Sequence, residues 1–269
     1  MSDHLFDQAI SLSGTPQSRT NTISPAYQNM VGPFGGVTAA TLLNAVMTHP
    51  DVIGSPVSMT VNYLGPIVTD EITIKPKLVR TNRSNQHWIL EVFCDDDMVL
   101  TSLMIFGSRV ESWTDTDLVF PQAASHEQLK SMPTDNLPPW PQQYDMRFVK
   151  GNPFASPAET LAEPSSESLQ WTADRPPRKL DFASLTALSD AMFPRLFVHQ
   201  RAVVPVGTVT LTIYFHVAAA ELEELPSPWV LTHVRAGKFS NSYFDHTGEL
   251  WSEDGRLLVT TNQMAYYKY

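Results

Sequence analysis

An apolar helix followed by four strand-like segments dominates the pattern of the first half of the chain. Residues 34–48 are rich in Ala, Leu and Met, with a glycine pair near the start and Pro50 just beyond the end, which predicts a helix. Because this segment is apolar nearly all round, the helix must be covered on most sides. β-Branched and aromatic residues between turn signals predict strands at 57–63, 71–79, 86–94 and 98–107.

The second half repeats this order after a proline-rich connection. Residues 111–179 hold ten of the 21 prolines, which predicts a long connection with a loop at 156–166 and short strands at 144–149 and 168–172. Asp181 is predicted to cap a second helix that runs to about Phe193 and is stopped by Pro194. Four strands are predicted after this helix, at 203–216, 229–239, 244–252 and 256–267.

The two halves also match in sequence, which predicts a duplicated unit. Segment 57–63 (VSMTVNY) and segment 209–215 (VTLTIYF), 152 residues later, place hydroxyl and apolar residues in the same order. Two further matches lie at offsets of 159 and 146, namely 98–104 with 257–263 and 42–45 with 188–191. Loop insertions between repeated elements produce such drifts. We therefore predict an N-terminal unit at 1–112, a linker at 113–140 and a C-terminal unit at 141–269.

The repeat singles out three positions that are polar in the second copy: Asp190, Thr208 and Gln263. The first copy has other residues at these places: Asn44, Pro56 and Met104. Asp190 is predicted to lie in the second helix and to emerge from a mostly apolar stripe, where a carboxylate is costly unless something binds it. Two interpretations stay open, a structural hydrogen bond to a neighbouring strand or a general base whose pKa is raised by burial.

Thr208 and Gln263 have side chains that can hold a water molecule against an aspartate. A threonine hydroxyl donates and accepts, and a glutamine amide offers two donors and one acceptor. This arrangement suits attack on an activated carbonyl without a covalent intermediate. Strand alternation places Thr208 in phase with Thr210 and Thr212 rather than with the apolar face. Either Gly207 marks a bulge or the site lies off the main core face.

A glycine pair, Gly35 and Gly36, stands where the first helix begins. Consecutive glycines let the backbone come close to a ligand at a helix N-terminus, where unpaired N–H groups favour a developing oxyanion. Tight packing of the helix against its sheet explains the pair equally well. The order GxGxxG is absent and no strand immediately precedes the pair, so the segment is not a dinucleotide fingerprint.

Composition and charge limit the classes of partner. Hydrophobic residues at 42% and charged residues at 17% are typical of a soluble globular protein. No stretch approaches the roughly 20 apolar residues that span a bilayer, and the first residues lack a signal-peptide pattern. We therefore expect a cytoplasmic protein without a membrane partner. The formal charge of -10, with no basic cluster among aromatics, argues against a nucleic-acid partner.

The cysteine and the histidines indicate no chemistry of their own. Cys94 lies in an apolar run and is predicted to be a buried strand residue, and a lone thiol forms no internal disulfide. The eight histidines are scattered without metal-ligand spacing, so no metal site is predicted. His216 ends a predicted strand and is interpreted as a structural or rim residue. The motifs GxSxG and HExxH are both absent.

Taken together, these motifs resemble those of the acyl-CoA thioesterases of the double-hotdog fold, a family that includes bacterial thioesterase II. The resemblance covers nearly the whole chain apart from the proline-rich middle, and it rests on segments 34–36, 57–66, 188–191, 207–216 and 254–263. It implies an α+β fold, a double hotdog of two antiparallel sheets, each wrapped around a central helix. In that family an aspartate, a threonine and a glutamine position a water against the thioester, and here they match Asp190, Thr208 and Gln263.

The resemblance implies hydrolysis of an acyl thioester, with acyl-CoA as the expected small-molecule substrate. Coenzyme A is then part of the substrate, and no separate cofactor is expected. Asp190 would act as general base or water orienter, and N–H groups near Gly35 and Gly36 or the second helix would stabilise the oxyanion. The predicted acyl-binding residues are Phe34, Met192, Phe193, Tyr214 and Phe215. One active site is expected per chain, because the first unit lacks the three polar residues.

Two other functions fit the same scaffold. A hotdog hydratase, dehydratase or cyclase acting on a polyketide-like acyl group usually needs a histidine with a carboxylate, and no histidine is clearly placed beside Asp190 in the sequence. A non-catalytic acyl-binding protein is the third possibility, and the degenerate first unit is a precedent for it. Fusion of two units already supplies the usual hotdog pair, so the chain is expected to be either a monomer or a homo-oligomer.

Overall fold

The computed structural model describes residues 4–155 and 164–268, so most of the loop predicted at 156–166 lies outside the described residues. The helices span α1 Leu5–Ala9, α2 Gly35–Met47, α3 Phe182–Leu188, α4 Arg195–Gln200 and α5 Ala219–Glu223. The first six strands are β1 Ser13–Thr15, β2 Ser18–Thr22, β3 Ser55–Tyr63, β4 Glu71–Thr81, β5 Asn85–Cys94 and β6 Asp97–Gly107. The remaining strands are β7 Tyr144–Lys150, β8 Ser168–Asp174, β9 Val206–Phe215, β10 Val230–Arg235, β11 Phe239–Ser240, β12 Tyr243–Ser252 and β13 Leu257–Tyr267.

The described strands form one antiparallel sheet rather than two separate ones. Its order is β1-β2-β4-β5-β6-β3-β9-β13-β12-β10-β8-β7, and β11 pairs with β12 outside this path. The two halves of the sheet meet where β3 pairs with β9. The expectation of two sheets is therefore corrected, because hydrogen bonding between these two strands continues one sheet into the other.

The register between β3 and β9 is the one that a duplicated unit requires. Thr60 lies directly opposite Thr212, and their hydroxyl oxygens are 3.1 Å apart. These two threonines are also equivalent to one another in the repeat, since they are 152 positions apart. When two equivalent strands pair about a twofold axis, the residue on the axis must face its own counterpart. β6 then flanks β3 as β13 flanks β9.

Helix α2 is covered on nearly all sides, as its composition predicts. Between Gly36 and Val46 the only residue of this helix that is not buried is Asn44. Its neighbours include α3, which approaches so closely that the helices touch near Gly36 and Ala187. Cys94 is buried in β5, as predicted. Among the described residues, no helix is long and apolar enough to cross a membrane.

The second helix is shorter than the sequence pattern predicts. Asp181 caps it as expected, in a capping box with Ser184, but α3 ends at Leu188. The Asp190 N–H donates to the Ala187 carbonyl at 3.1 Å, a three-residue bond that tightens the last turn and ends the helix. Pro194 does not stop this helix. It stands at the N-cap of α4, where its fixed φ is compatible with a helix start.

The sequence pattern does not predict two strands that are composed of polar residues, β1 and β2. β1 and β2 are made of Ser, Thr, Gly, Arg and Asn, so they show no apolar alternation. They form an edge of the sheet, where a strand can be held by its backbone pairing rather than by a buried face. The strand predicted at 229–239 is divided in the structure, with β10 ending at Arg235 and the short β11 beginning at Phe239.

Candidate active site

Asp190 lies just beyond the end of α3, in the connection to α4, and not within a helix as predicted. Its carboxylate Oδ1 accepts a hydrogen bond from Gln263 Nε2 at 2.6 Å. Gln263 comes from β13 and is buried, with 5% of its surface exposed. The helix end and the central part of the sheet therefore bring these two predicted residues into direct contact.

Thr208 joins this pair because β9 contains a bulge. Opposite β13, Thr210 faces Met264 and Thr208 faces Ala265, so Val209 has no partner. Directly opposed residues lie on the same face of a sheet, and Ala265 is buried. The extra residue turns Thr208 to the core face. This settles the open alternative in favour of a bulge, located at Val209 rather than at Gly207.

The bulge is a duplicated feature of the fold. In β3 the pairing with β6 skips Val57, which lies 152 positions before Val209. On the second unit, the bulge brings the Thr208 Oγ1 to 3.5 Å from Gln263 Oε1, a long contact. The Gln263 amide therefore stands between a hydroxyl on one side and the Asp190 carboxylate on the other.

The environment of Asp190 makes its carboxyl group a proton acceptor near neutral pH. Burial raises the pKa of Asp190 to about 7, while hydrogen bonds from Gln263 and from the Gly36 backbone N–H oppose the rise. A carboxyl group with this pKa is close to the optimum for general base catalysis at neutral pH. The same burial raises the pKa of the nearby Tyr63 phenol, so this group stays protonated.

The structure shows a close approach of the Asp190 carboxylate at Gly35 and tight helix packing at Gly36. A Cβ atom at Gly35 would lie 2.8 Å from Asp190 Oδ2, so the absence of a side chain lets the carboxylate approach the start of α2. Tyr63 donates from its hydroxyl to the Gly35 carbonyl at 2.9 Å and fixes this turn. At Gly36 the role is packing, but against α3 rather than against the sheet.

We expect Gly36→Ala to destabilise the protein. The new Cβ would lie 2.6 Å from the Ala187 carbonyl oxygen and 2.6 Å from the Phe34 ring, and a backbone oxygen cannot move without displacing α3. The overpacking should cost about 1–3 kcal/mol in the free energy of unfolding, more than the better helix propensity of Ala recovers. Denaturant unfolding measures this difference. Gly65→Ala is the matched control, because its Cβ has no neighbour within 4 Å; equal stability of both variants would contradict the packing.

Two buried polar side chains fasten the connection that carries Asp190. Gln170 in β8 donates from Nε2 to the Ala191 carbonyl at 2.9 Å. Arg195 is fully buried, and its guanidinium donates to the carbonyl of Phe193 at 3.1 Å and to Ser168 Oγ at 2.8 Å. Burial lowers the pKa of Arg195 to about 9. The connection between α3 and α4 is therefore held from both sides, which fixes the carboxylate against Gln263.

A cavity of about 800 Å³ opens onto these groups. Asp190, Thr208, Gln263 and Gly35 all line it, together with three of the predicted acyl-binding residues, Phe34, Met192 and Phe193. Phe34 stacks on Trp140, with ring centroids 4.3 Å apart. The cavity takes its walls from both units, so the first unit contributes a wall and the start of α2, and the second contributes the polar side chains.

The other two predicted acyl-binding residues lie outside the cavity lining. Tyr214 is 45% exposed, and in β9 it faces Ser58 on one side and Thr260 on the other. Phe215 is buried and packs edge-on against Phe182 at 5.6 Å. Both follow the bulge, and strand direction carries them past the cavity to the far end of β9. The prediction for these two residues is therefore corrected.

Sequence reasoning missed His246, which lines the same cavity. It lies in β12 directly opposite Gln263 and is 4% exposed. Burial lowers the pKa of His246 to about 4; the charge of Arg195 acts in the same direction, and the Gln263 amide and Asp245 oppose it. The signal was present in the alternation of β12, where His246 is in phase with the buried Phe244 and Leu250. His216, by contrast, follows β9 at an exposed position and contacts Thr260 Oγ1 at 2.8 Å.

The equivalent place in the first unit holds no such arrangement. The Asn44 amide donates from Nδ2 to the Ile10 carbonyl at 2.9 Å, so this side chain is bonded to the chain segment after α1. Met104, which corresponds to Gln263, is 2% exposed and belongs to the apolar core. The first unit therefore has an amide in place of the carboxylate of Asp190 and an apolar side chain in place of the amide of Gln263.

The observed arrangement suits addition of water to a polarised carbonyl. Asp190 can take a proton, the Gln263 and Thr208 side chains can fix the position of a water, and the start of α2 presents N–H groups at the positive end of a helix. The described site residues include no serine or cysteine nucleophile beside a base. The chemistry available is therefore general base assistance in an apolar cavity.

Comparisons with known proteins agree with this geometry. Residues 24–107 match the family model described as acyl-CoA thioesterase N-terminal domain, and residues 120–267 match the acyl-CoA thioesterase C-terminal domain. A conserved protein of unknown function with a hot dog fold from Alicyclobacillus acidocaldarius is 39% identical, with a TM-score of 0.94 over 100% of this chain and 99% of that chain. No curated protein sequence matches the chain significantly.

More distant solved structures share the fold. The tesB protein of Mycobacterium avium subs paratuberculosis is 15% identical, with a TM-score of 0.78 over 99% of this chain and 100% of that chain. The acyl-CoA thioesterase II TesB2 of Mycobacterium marinum is 14% identical, with a TM-score of 0.74 over 98% of each chain. The predicted α+β double hotdog is thereby confirmed. The boundaries predicted for the two units stay predictions.

Proposed function

Because the chain belongs to the acyl-CoA thioesterase family, we propose that it hydrolyses an acyl thioester, with acyl-CoA as the substrate and one active site per chain. The observation that supports this most directly is the hydrogen bond of 2.6 Å between Gln263 and Asp190 at the wall of an apolar cavity. A half-buried carboxylate, an amide and a hydroxyl meet there, and no nucleophilic side chain is needed for hydrolysis by water.

In the proposed mechanism Asp190 accepts a proton from a water held by Gln263 and Thr208. The water oxygen bonds to the thioester carbon, and the carbonyl π electrons move to its oxygen. N–H groups at the start of α2, other than the Gly36 N–H that donates to Asp190, stabilise this oxyanion, because they lie at the positive end of a helix of 13 residues. Collapse of the intermediate breaks the carbon–sulfur bond, and the proton from Asp190 passes to the leaving thiolate. The products are a carboxylic acid and a free thiol.

The acyl chain is proposed to lie in the cavity of about 800 Å³. Phe34, Trp140 and Phe193 supply aromatic walls near the catalytic groups. Burial of apolar surface contributes roughly 25 cal/mol per Å², so an acyl chain enclosed here gains binding free energy that a short acetyl group lacks. The residues that line the cavity are mostly apolar, which favours binding of an acyl group over binding of a free carboxylic acid.

The test of this proposal is release of free thiol from a panel of acyl-CoAs of increasing chain length. We expect hydrolysis by the wild-type protein with kcat/KM rising from acetyl-CoA towards longer acyl groups, until the cavity is filled. A thiol-reactive chromogen follows the reaction. The carboxylic acid product, identified by mass spectrometry, must appear in equal amount. Absence of thiol release across the panel would overturn the proposal.

His246 favours one second candidate, a hydratase or dehydratase that uses a histidine with a carboxylate. His246 lines the cavity, so it is the histidine that this chemistry needs and that the sequence pattern did not reveal. Against this candidate, its pKa of about 4 makes the ring a weak proton acceptor at neutral pH. Formation of a 2-enoyl thioester from a 3-hydroxyacyl-CoA, without thiol release, would favour this second function over hydrolysis.

A further inference from the structure

Tyr63 is a polar side chain that the first unit contributes to the cavity and that takes no part in the proposed mechanism. It is the last residue of β3, it lines the cavity, and its hydroxyl donates to the Gly35 carbonyl at 2.9 Å. A Cβ atom at Gly35 would lie 2.8 Å from Asp190 Oδ2 and 3.3 Å from the Tyr63 hydroxyl oxygen. The first residue of α2 therefore lies against both the phenol and the carboxylate.

The repeat shows that this hydroxyl is present in only one of the two copies. Position 63 corresponds to position 215, which is 152 residues later and holds a phenylalanine. Tyr63 contacts Gly35, the first residue of α2. Phe215 packs in the same way against Phe182, the first residue of α3, with ring centroids 5.6 Å apart. The second unit forms the same contact between strand and helix start without a hydroxyl, so the fold does not require this group.

The two units carry complementary halves of one site. The second unit has Asp190, Thr208 and Gln263, and the first unit has other residues at the corresponding positions. The first unit has Tyr63 and the glycine pair at the start of its helix, and the second unit has Phe215 and no glycine there. Because both units line the cavity, one set from each meets at a single centre. Tyr63 therefore belongs with the polar groups of this centre.

We propose that Tyr63 is a positioning residue: by holding the Gly35 carbonyl, its hydroxyl orients the start of α2 so that the N–H groups there point to Asp190 and to the oxyanion. This inference rests on the proposed hydrolysis and adds a group from the first unit to its machinery. One of these N–H groups, that of Gly36, donates to Asp190. Loss of the hydroxyl would remove the link between β3 and this peptide, and small displacements of a positioned donor reduce catalysis strongly.

Tyr63→Phe tests the inference, because it removes the hydroxyl and keeps the ring. We expect kcat for a hydrolysed acyl-CoA to fall by about tenfold or more while KM changes by less than about twofold, since displaced N–H groups are felt mainly in the transition state. The hydrogen bond from Gly36 to Asp190 should also weaken. The pKa of Asp190 should then rise, and the acid limb, the rise of kcat/KM with pH, should move to higher pH. Steady-state thiol release between pH 5 and 9 measures these effects.

The acid limb reports Asp190 because the titratable side chains described around it do not change charge near neutral pH. Burial raises the pKa of Tyr63 in β3 and of Tyr144 in β7, and the charge of Asp190 acts in the same direction on both. His246 in β12 is neutral, since burial lowers its pKa to about 4. Arg195 at the start of α4 stays protonated below its pKa of about 9.

Tyr214→Phe is the matched control, since Tyr214 is 45% exposed and lies outside the cavity lining. It should leave kcat and the acid limb unchanged. If Tyr63→Phe lowered only the stability towards urea, with kcat per folded molecule and the acid limb as in the wild-type protein, the hydroxyl would be merely structural and the inference would be overturned.

Failure of the proposed hydrolysis gives a different result. Absence of thiol release from the wild-type protein would overturn hydrolysis itself. In that case a ¹³C NMR titration of the Asp190 carboxyl group, assigned with Asp190→Asn, still decides the inference. A higher pKa of Asp190 in Tyr63→Phe than in the wild-type protein would support the positioning role, and an unchanged pKa would overturn it.

Discussion

Asp190→Asn is expected to lower kcat by roughly 10²–10⁴-fold without unfolding the protein. Asparagine has nearly the same shape and can still accept the hydrogen bond from Gln263, but it cannot take the proton from the attacking water. In the wild-type protein, kcat/KM should rise with pH and reach half its plateau near pH 7, because Asp190 must be ionised and its pKa is about 7. For the Asp190→Asn variant, kcat/KM should not show this rise with pH, which is the acid limb of the wild-type pH–rate profile. Steady-state thiol release between pH 5 and 9 measures both effects.

The stability of the same variant separates a catalytic aspartate from a structural one. The folded-state pKa of Asp190 lies above its ordinary value of 3.8, so its contribution to stability is fully present below pH 3.8 and is lost as pH rises through about 7. At pH 8 the ionised carboxylate of Asp190 therefore lowers the free energy of unfolding by on the order of 4 kcal/mol. Asp190→Asn should be at least as stable as wild type at pH 8 by denaturant unfolding.

The first unit supplies the matched control for Asp190. Asn44→Ala changes the equivalent position, where the only described contact of the amide is with the Ile10 carbonyl. It should cost about 1 kcal/mol of stability and leave turnover per folded molecule unchanged. If Asp190→Asn kept near-normal hydrolysis, or if it lost activity only by unfolding, the assignment of Asp190 as general base would be wrong.

Gln263→Ala is expected to lower kcat by roughly 10²–10³-fold, comparable to removal of one positioned donor from a catalytic site. The glutamine amide holds the carboxylate of Asp190 at 2.6 Å and lies 3.5 Å from the Thr208 hydroxyl. Its hydrogen bond also lowers the pKa of Asp190 against the effect of burial. Without that bond the pKa should rise further, so the acid limb of the pH–rate profile should move to higher pH.

This shift of the pH profile is the readout that a merely structural role would not produce. Met104→Ala is the matched control, since Met104 stands at the equivalent position of the first unit and is buried in the core. It should lower stability through the cavity it leaves while the acid limb stays where it is in the wild-type protein. A Gln263→Ala profile with an unmoved limb and normal kcat would contradict the proposed positioning of water and base.

Much of the fold was readable from hydrophobic patterning. The helix at 34–48 is α2, the four strands after it are β3 to β6, and the second half follows the same order. These elements have strong apolar periodicity, which reports burial directly. β1 and β2 were missed because they are polar and lie at the edge of the sheet. For such strands the stabilising interaction is backbone pairing, which side-chain composition does not record.

The candidate site was readable only in part. The repeat identified Asp190, Thr208 and Gln263, and the structure brings these three together; their catalytic roles are what the variants test. Tyr214 and Phe215 were placed in the cavity by proximity in sequence, and they lie elsewhere because the bulge and the direction of β9 separate them from Thr208. His246 was overlooked because the sequence does not record the pairing register of β12 and β13, which places this residue opposite Gln263.

The sequence by itself determined the duplication, the order of the elements and the presence of Asp190, Thr208 and Gln263 in only one of the two copies. Each of these depends on which residue types follow one another, which the chain records completely. Only the tertiary structure decided where α3 ends, that Val209 bulges and that His246 faces the cavity beside Gln263. The physical reason is that one unpaired residue reverses the phase of a strand, and pairing register is set by contacts between segments far apart in the chain.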